Sequence, residues 1–141
     1  MKQTFGSYLI SDEKGLLQID RIHELLSKSY WAKDRLKETI QKSIEHSLCF
    51  GVYIDGLQIG FARCITDYAT MYYLADVIID EKYRGQGLGK AFVKFIIEHK
   101  LLRICGGILD TSDAHGLYEQ FGFARNPDKS MRRSSKRTER T

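Results

Sequence analysis

The chain predicts an α/β (α+β) fold built on one mixed, mostly antiparallel sheet flanked by helices. Three observations predict it. Leu48 to Ile54 and Leu57 to Ile65 read as strands joined by Asp55-Gly56, a two-residue turn whose positive φ angles suit those residues. Leu74-Ala75-Asp76-Val77-Ile78-Ile79 reads as a buried strand that runs into a glycine-rich turn opening a helix. A further strand, polar turn and helix follow from Ile104, so the expected order is β-α-α-β-β-β-α-β-α-β.

Each element has its own signal. Tyr8-Leu9-Ile10 reads as the first strand, and Ile19, Ile22, Leu25 and Leu26 mark a short amphipathic helix. Leu36, Ile40 and Ile44, spaced by four, mark a second helix from about Lys33 to His46. A strand from Met71 to Ile79 leads to the glycine turn, after which Leu88, Phe92, Phe95 and Ile96 fall at helical spacing. Ile104 to Leu109 reads as a short strand, and Asp110-Thr111-Ser112-Asp113 as a turn able to cap a helix. That helix carries Ala114, Leu117, Tyr118 and Phe121 on one face and ends at Gly122.

Length and composition fit one domain. At 141 residues and 43% hydrophobic, the chain can bury a core, and it contains no apolar run near the roughly 20 residues of a membrane span. Met1-Lys2-Gln3-Thr4-Phe5 is no signal peptide, so a cytoplasmic protein without membrane association is expected. Cys49, Cys64 and Cys105 are odd in number and far apart on expected strands, which argues for core thiols rather than disulfides or zinc ligands. His23, His46, His99 and His115 show no ligand pairing, and no metal is expected.

Positions 125 to 141 hold seven Lys or Arg against Asp128 and Glu139, so the net charge of +4 is a property of the tail. The domain is therefore drawn at 1–127, with 128–141 as a basic tail without fixed structure. The tail reads either as a solvated terminus or as an electrostatic contact for an acidic partner such as nucleic acid. It has no aromatics for stacking, which disfavours the latter.

The segment Arg84-Gly85-Gln86-Gly87-Leu88-Gly89-Lys90 carries the chemistry. Glycines let the amides of such a turn converge, and the helix's partial positive charge adds to them, making an anion site for a phosphate or pyrophosphate. A P-loop needs glycine at Arg84 and Ser or Thr at Ala91, and the dinucleotide fingerprint needs glycine at Lys90. Neither fits. What remains is Arg84-x-x-Gly87-x-Gly89, preceded by Val77-Ile78-Ile79-Asp80-Glu81-Lys82-Tyr83. It resembles the acetyl-CoA signature of the GCN5-related N-acetyltransferase (GNAT) superfamily. Ala114-His115-Gly116-Leu117-Tyr118-Glu119-Gln120-Phe121-Gly122-Phe123 is similar to that family's later alanine-x-x-leucine-tyrosine element. The resemblance covers roughly positions 8 to 124.

The resemblance implies the acyl-CoA N-acyltransferase fold, in which Met71 to Ile79 and Ile104 to Leu109 splay apart. The pantetheine arm of acetyl-CoA would enter the gap, along Val77, Ile78 and Ile79, with its anionic end on the amides of Gly85, Gln86, Gly87, Leu88, Gly89 and Lys90. Arg84 and Lys90 would add charge, while Ser112 and Tyr118 would border the cofactor from the facing side. The implied reaction is direct acetyl transfer to a primary amine of a small molecule or peptide. Tyr118 is the candidate acid for the departing thiolate, because an ordinary phenol is protonated at neutral pH. Asp76, a carboxylate in an apolar strand, is either the base or a structural hydrogen-bond acceptor, with His115 a weaker candidate base. The Val77 amide would meet the oxyanion in the family's manner. Tyr30, Trp31, Tyr72 and Tyr73 are candidate walls of an amine pocket, since ammonium groups are attracted to aromatic faces. An acetyl-CoA-binding regulatory module without turnover remains the alternative, and a homodimer is open to either.

Overall fold

The computed structural model describes residues 1–135. Six strands form one sheet in chain order: β1 (Lys2–Phe5), β2 (Tyr8–Ser11), β3 (Leu48–Ile54), β4 (Leu57–Thr66), β5 (Met71–Ile79) and β6 (Gly106–Ile108). Every pairing is antiparallel except β5 with β6, which is parallel. Four helices complete the fold: α1 (Ile19–Ser27), α2 (Lys37–Glu45), α3 (Leu88–Ile97) and α4 (His115–Glu119).

The helices cover both faces. On one, α1 and α2 bring Ile22, Leu25, Leu26 and Ile40 onto Cys49, Phe61 and Ile78. On the other, Phe92, Val93, Phe95 and Ile96 of α3 join Phe50, Val52, Ala62, Cys64, Tyr72 and Leu74. A strand alternates faces at period two, yet Tyr72 and Leu74 lie on the α3 side while Ile78 lies on the α1 side. A β-bulge causes the switch. The β4–β5 register passes from Arg63–Ala75 to Phe61–Ile78, and Asp76 adopts φ +57°. An extra residue in one strand inverts the parity of everything beyond it.

Several expected boundaries change. The first strand is half of a hairpin, with β1 paired to β2 across Gly6 at φ +59°. The second helix starts at Lys37 rather than Lys33, because the preceding residues form turns in which Ser29 Oγ accepts from the Ala32 amide and Ala32 O from the Arg35 amide. The last strand begins at Gly106 rather than Ile104, since the amides of Leu102 and Arg103 bond back to His99 and that of Cys105 to Leu102. Cys49 and Cys64 are buried, but Cys105 lies outside the strand and is only half-buried, so it is not a core thiol. The strand expected after α4 is absent among the described residues. Gly122, at φ +88°, ends that helix with the Phe123 amide bonded to Tyr118 O, and the Phe123 ring packs edge-on to Tyr118. A single helical turn, Pro127–Lys129, spans the expected start of the tail, and residues 136–141 lie outside the described residues.

The N-terminus is tied to the sheet. Asp12 accepts from the Met1 ammonium at 2.7 Å and from Nε2 of the buried His99 at 2.7 Å, while His99 Nδ1 accepts from the Leu101 amide. Partial burial works to raise the Asp12 pKa, but the ammonium and His99 pull it below the ordinary carboxylate value. A depressed carboxylate contributes stability above its unfolded pKa and loses it as pH falls through the folded one. Asp12→Asn is therefore expected to cost about 1 kcal/mol at pH 7, and the difference from wild type in urea melts should shrink as pH falls below the ordinary carboxylate range and through the lowered Asp12 pKa.

Candidate active site

Pairing between β5 and β6 stops at Tyr73–Ile108, after which the two strands part. A cavity of about 610 Å³ occupies the gap, walled by Leu74 to Val77 on one side and by Leu109 to Ala114 with Tyr118 on the other. From Leu74 onward β5 has no strand partner on that side among the described residues. Asp76 and Val77 also fall outside the β4 register, which turns the peptide at the bulge away from the ordinary ladder.

The glycine turn lies beyond the C-terminal end of β5. Gly85 and Gly87 take φ +81° and +80°, and Gly87 is the N-cap of α3. The first intrahelical bond of α3 is donated by Ala91 to Gly87 O. The amides of Gly85, Gln86, Gly87, Leu88, Gly89 and Lys90 thus have no acceptor among the described residues. Their approach is open: a Cβ on Gly85 or Gly89 would meet nothing within 4 Å. The Gln86 side chain is pinned, accepting from the Tyr8 hydroxyl and donating to Tyr83 O. Donors crowded at a helix N-terminus, with no side chain over them, fit a bound pyrophosphate.

Other candidate cofactor residues are less direct. Arg84 Nε donates to Ile79 O at 2.9 Å, so this arginine bolts the turn to the strand end and leaves only its terminal nitrogens for a phosphate. The same bond occupies one lone pair of the Ile79 carbonyl. Ile78 points into the α1 side of the core, and the Leu88 side chain is buried, which leaves their main-chain groups alone to meet a ligand. Lys90 is exposed. The Ser112 amide donates to the Tyr30 hydroxyl, joining the segment after α1 to the loop before α4 across the cavity.

Tyr118 lies at the cavity wall with 8% of its surface exposed. Burial pushes its phenol up to about 12, with smaller pushes from Tyr30 and the charge of Asp113. Its hydroxyl has no hydrogen-bond partner among the described residues. The phenol is therefore protonated at every ordinary pH.

Asp76 is not a free base. Its Oδ2 accepts from Arg35 Nη1 and Arg63 Nε, each at 2.7 Å, and its Oδ1 from Trp31 Nε1 at 2.9 Å. Only 3% of the side chain is exposed. The geometry corresponds to the structural acceptor, not the proton acceptor: the carboxylate fastens the segment after α1 to the bulge of β5. Removing it leaves two half-buried guanidinium groups without their shared counter-charge. Asp76→Asn is expected to lower stability by about 2 kcal/mol, read by chemical denaturation, with Arg63→Ala in the same background costing less than it does alone.

Of the aromatic candidates, Tyr30, Trp31 and Tyr73 line the cavity and Tyr72 does not. Tyr72 is in the α3-side core, its ring lying against Gly107. Adjacent residues of a strand face opposite ways, so only one of the pair reaches the site. Tyr73 donates to Asp110 Oδ2, which Arg132 from the tail also contacts. His115 does not line the cavity. The polar residues overlooked in the sequence are Arg35, Arg63, Asp110, Asp113 and Arg132, all in the cavity wall. Arg63, a charge inside the otherwise apolar run Ile59 to Ile65 of β4, was the one legible sign, since it required a partner. Among the described residues no cluster suited to a metal ion occurs, and no helix is long and apolar enough to cross a membrane.

A split parallel strand pair, a bulged central strand and a helix N-terminus of open amides on one mixed sheet make up an acyltransferase-type fold. A family model described as an acetyltransferase (GNAT) domain matches residues 45–125, more than half of the chain, and the protein belongs to that family. A structure from Xanthomonas campestris pv. campestris, assigned to the same family, superposes with TM-score 0.86 at 42% identity, covering 91% of this chain and 93% of that one. A provisionally named acetyltransferase of Gibberella zeae is 32% identical over 115 residues, 67% of this chain and 65% of its own length. The Bacillus subtilis spermine/spermidine N(1)-acetyltransferase is 35% identical over 89 residues, 54% of this chain and 59% of its own. The chain thus spans less than two thirds of either curated relative.

Proposed function

We propose that the protein is a cytoplasmic N-acetyltransferase that moves an acetyl group from acetyl-CoA directly to a primary amine. The observation that carries this is the run of partnerless amides from Gly85 to Lys90 at the open end of the β5–β6 gap. Family membership supports the same reading, because acetyl-CoA is the general donor of GNAT enzymes. The relative named for spermine and spermidine supports an amine as acceptor.

Bound acetyl-CoA supplies an acetyl group activated as a thioester. The chain's own residues hold it and manage protons. Amides Gly85 to Lys90 would hold the pyrophosphate, with Lys90 and the outer nitrogens of Arg84 adding charge. The unpaired edge of β5 would receive the pantetheine arm, and the Val77 amide at the bulge would meet charge developing on the acyl oxygen. As the C–N bond forms and the C–S bond breaks, one proton must leave the amine and one must reach sulfur. Tyr118 delivers the second. We assign receipt of the first to Asp113, a cavity carboxylate whose charge is felt at the Tyr118 phenol. Tyr30, Trp31 and Tyr73 wall the acceptor.

Asp113→Asn is expected to lower kcat at neutral pH by about 100-fold with unchanged acetyl-CoA affinity, read by release of free CoA. The function itself is tested by the same assay across amino acids, amino sugars, polyamines and peptides. Binding of acetyl-CoA without CoA release on any of them would favour a regulatory module.

A further inference from the structure

We propose that the acceptor carries a carboxylate close to its amine, and that Arg35 and Arg63 on the cavity floor recognise it. This rests on reading the β5–β6 cavity as the acceptor site. Both arginines line that cavity, and their side chains are only 15% and 13% exposed. Asp76 cancels one of their two charges, so the floor keeps a net charge of +1. A single carboxylate balances that charge, whereas a phosphate dianion would overshoot it.

The arginines also have donors to spare. A guanidinium offers five N–H groups. Arg35 spends one on Asp76, while Arg63 spends one on Asp76 and another, at 3.4 Å, on Ser47 Oγ. Among the described residues the one fully buried side-chain polar atom without a partner is the Tyr53 hydroxyl. The unused guanidinium nitrogens therefore keep accessible surface. Asp76 holds both forks in place before a ligand arrives, which reduces the ordering cost of a carboxylate contact.

The opposite wall keeps one uncompensated negative charge. Asp110 and Asp113 lie in the loop before α4, Arg132 offsets Asp110, and Asp113 acts on the Tyr118 phenol. A cavity with a cationic floor and an anionic wall beside the proposed proton donor orients a zwitterion. Its ammonium faces Asp113 and Tyr118, and its carboxylate faces Arg35 and Arg63. The substrate class is a small amino carboxylate.

The test uses the whole chain and matched trios, in which the carboxylate becomes an amide or a methyl group: glycine, glycinamide and ethylamine; β-alanine, β-alaninamide and propylamine; γ-aminobutyrate, its amide and butylamine. CoA release should favour the carboxylate member of at least one trio by about 30-fold or more in kcat/KM over its amide, since a site built for a charged group rejects the analogue lacking it. Arg35→Lys and Arg63→Gln should compress that ratio toward one, with acetyl-CoA affinity by calorimetry confirming that each variant is folded. Amides or alkylamines used as well as carboxylates would overturn the inference while leaving acetyl transfer standing. If nothing is acetylated, calorimetry of each trio on the CoA-loaded protein decides: tighter binding of the carboxylate member upholds the inference, and equal or absent binding overturns it. Absence of acetyl-CoA binding would instead remove the underlying functional reading.

Discussion

Gly87→Val is expected to weaken acetyl-CoA binding by at least about 100-fold, roughly 2.7 kcal/mol, in a protein that still folds. Gly87 sits at φ +80° as the N-cap of α3, where a β-branched residue is strained by about 1–2 kcal/mol. Relief comes from rotating the flanking peptides, and those peptides carry the amides that converge on the anion. The mutation thus costs little packing and much binding. An added Cβ finds only a Phe5 ring atom at 3.9 Å, so no core contact is disturbed. Calorimetric titration together with a thermal melt separates the two effects: a cooperative melt lowered by only a few degrees, with lost affinity, is the predicted pair.

Tyr118→Phe should lower kcat by about 100-fold while the acetyl-CoA dissociation constant changes by less than about threefold. The hydroxyl donates only as the thiolate leaves, so its removal raises the barrier without touching ground-state binding. The ring itself stays packed on Phe123 at 6.0 Å between centroids, which keeps the wall intact. With the phenol pushed up to about 12, Tyr118 remains protonated through neutral pH, and the rate below pH 10 should follow the amine and its base rather than this residue. Single-turnover CoA release across pH in wild type and variant checks both points. An unchanged kcat would remove Tyr118 from the proton-donor role.

The β3–β4 hairpin and the strand–glycine turn–helix passage were legible because their signals are local. Asp55-Gly56 can hardly be anything but a hairpin turn, and glycines alternating between an apolar strand and an amphipathic helix leave few alternatives. The bulge was not legible. Leu74 to Ile79 is apolar on both faces apart from Asp76, so the pattern carries no mark of where parity inverts. Asp76 illustrates the consequence: its sequence context justified both a base and a structural acceptor, and only the approach of Trp31, Arg35 and Arg63 from distant segments decides between them. Tyr72 and Tyr73 are different, because period-two alternation already allowed only one of them into the pocket. The acidic wall escaped notice since Asp110 and Asp113 read as a polar helix-capping turn, and Thr111 Oγ1 does accept from the Ala114 amide at the helix start.

The central claim is that main-chain amides from Gly85 to Lys90 hold the diphosphate of a thiol nucleotide. Calorimetric titration of the wild-type chain with CoA and, separately, with pantetheine tests it most directly. The account predicts that CoA binds at least about 100-fold more tightly and that Gly87→Val erases most of the difference. Equal affinity for the two ligands, or no heat with CoA, would contradict it.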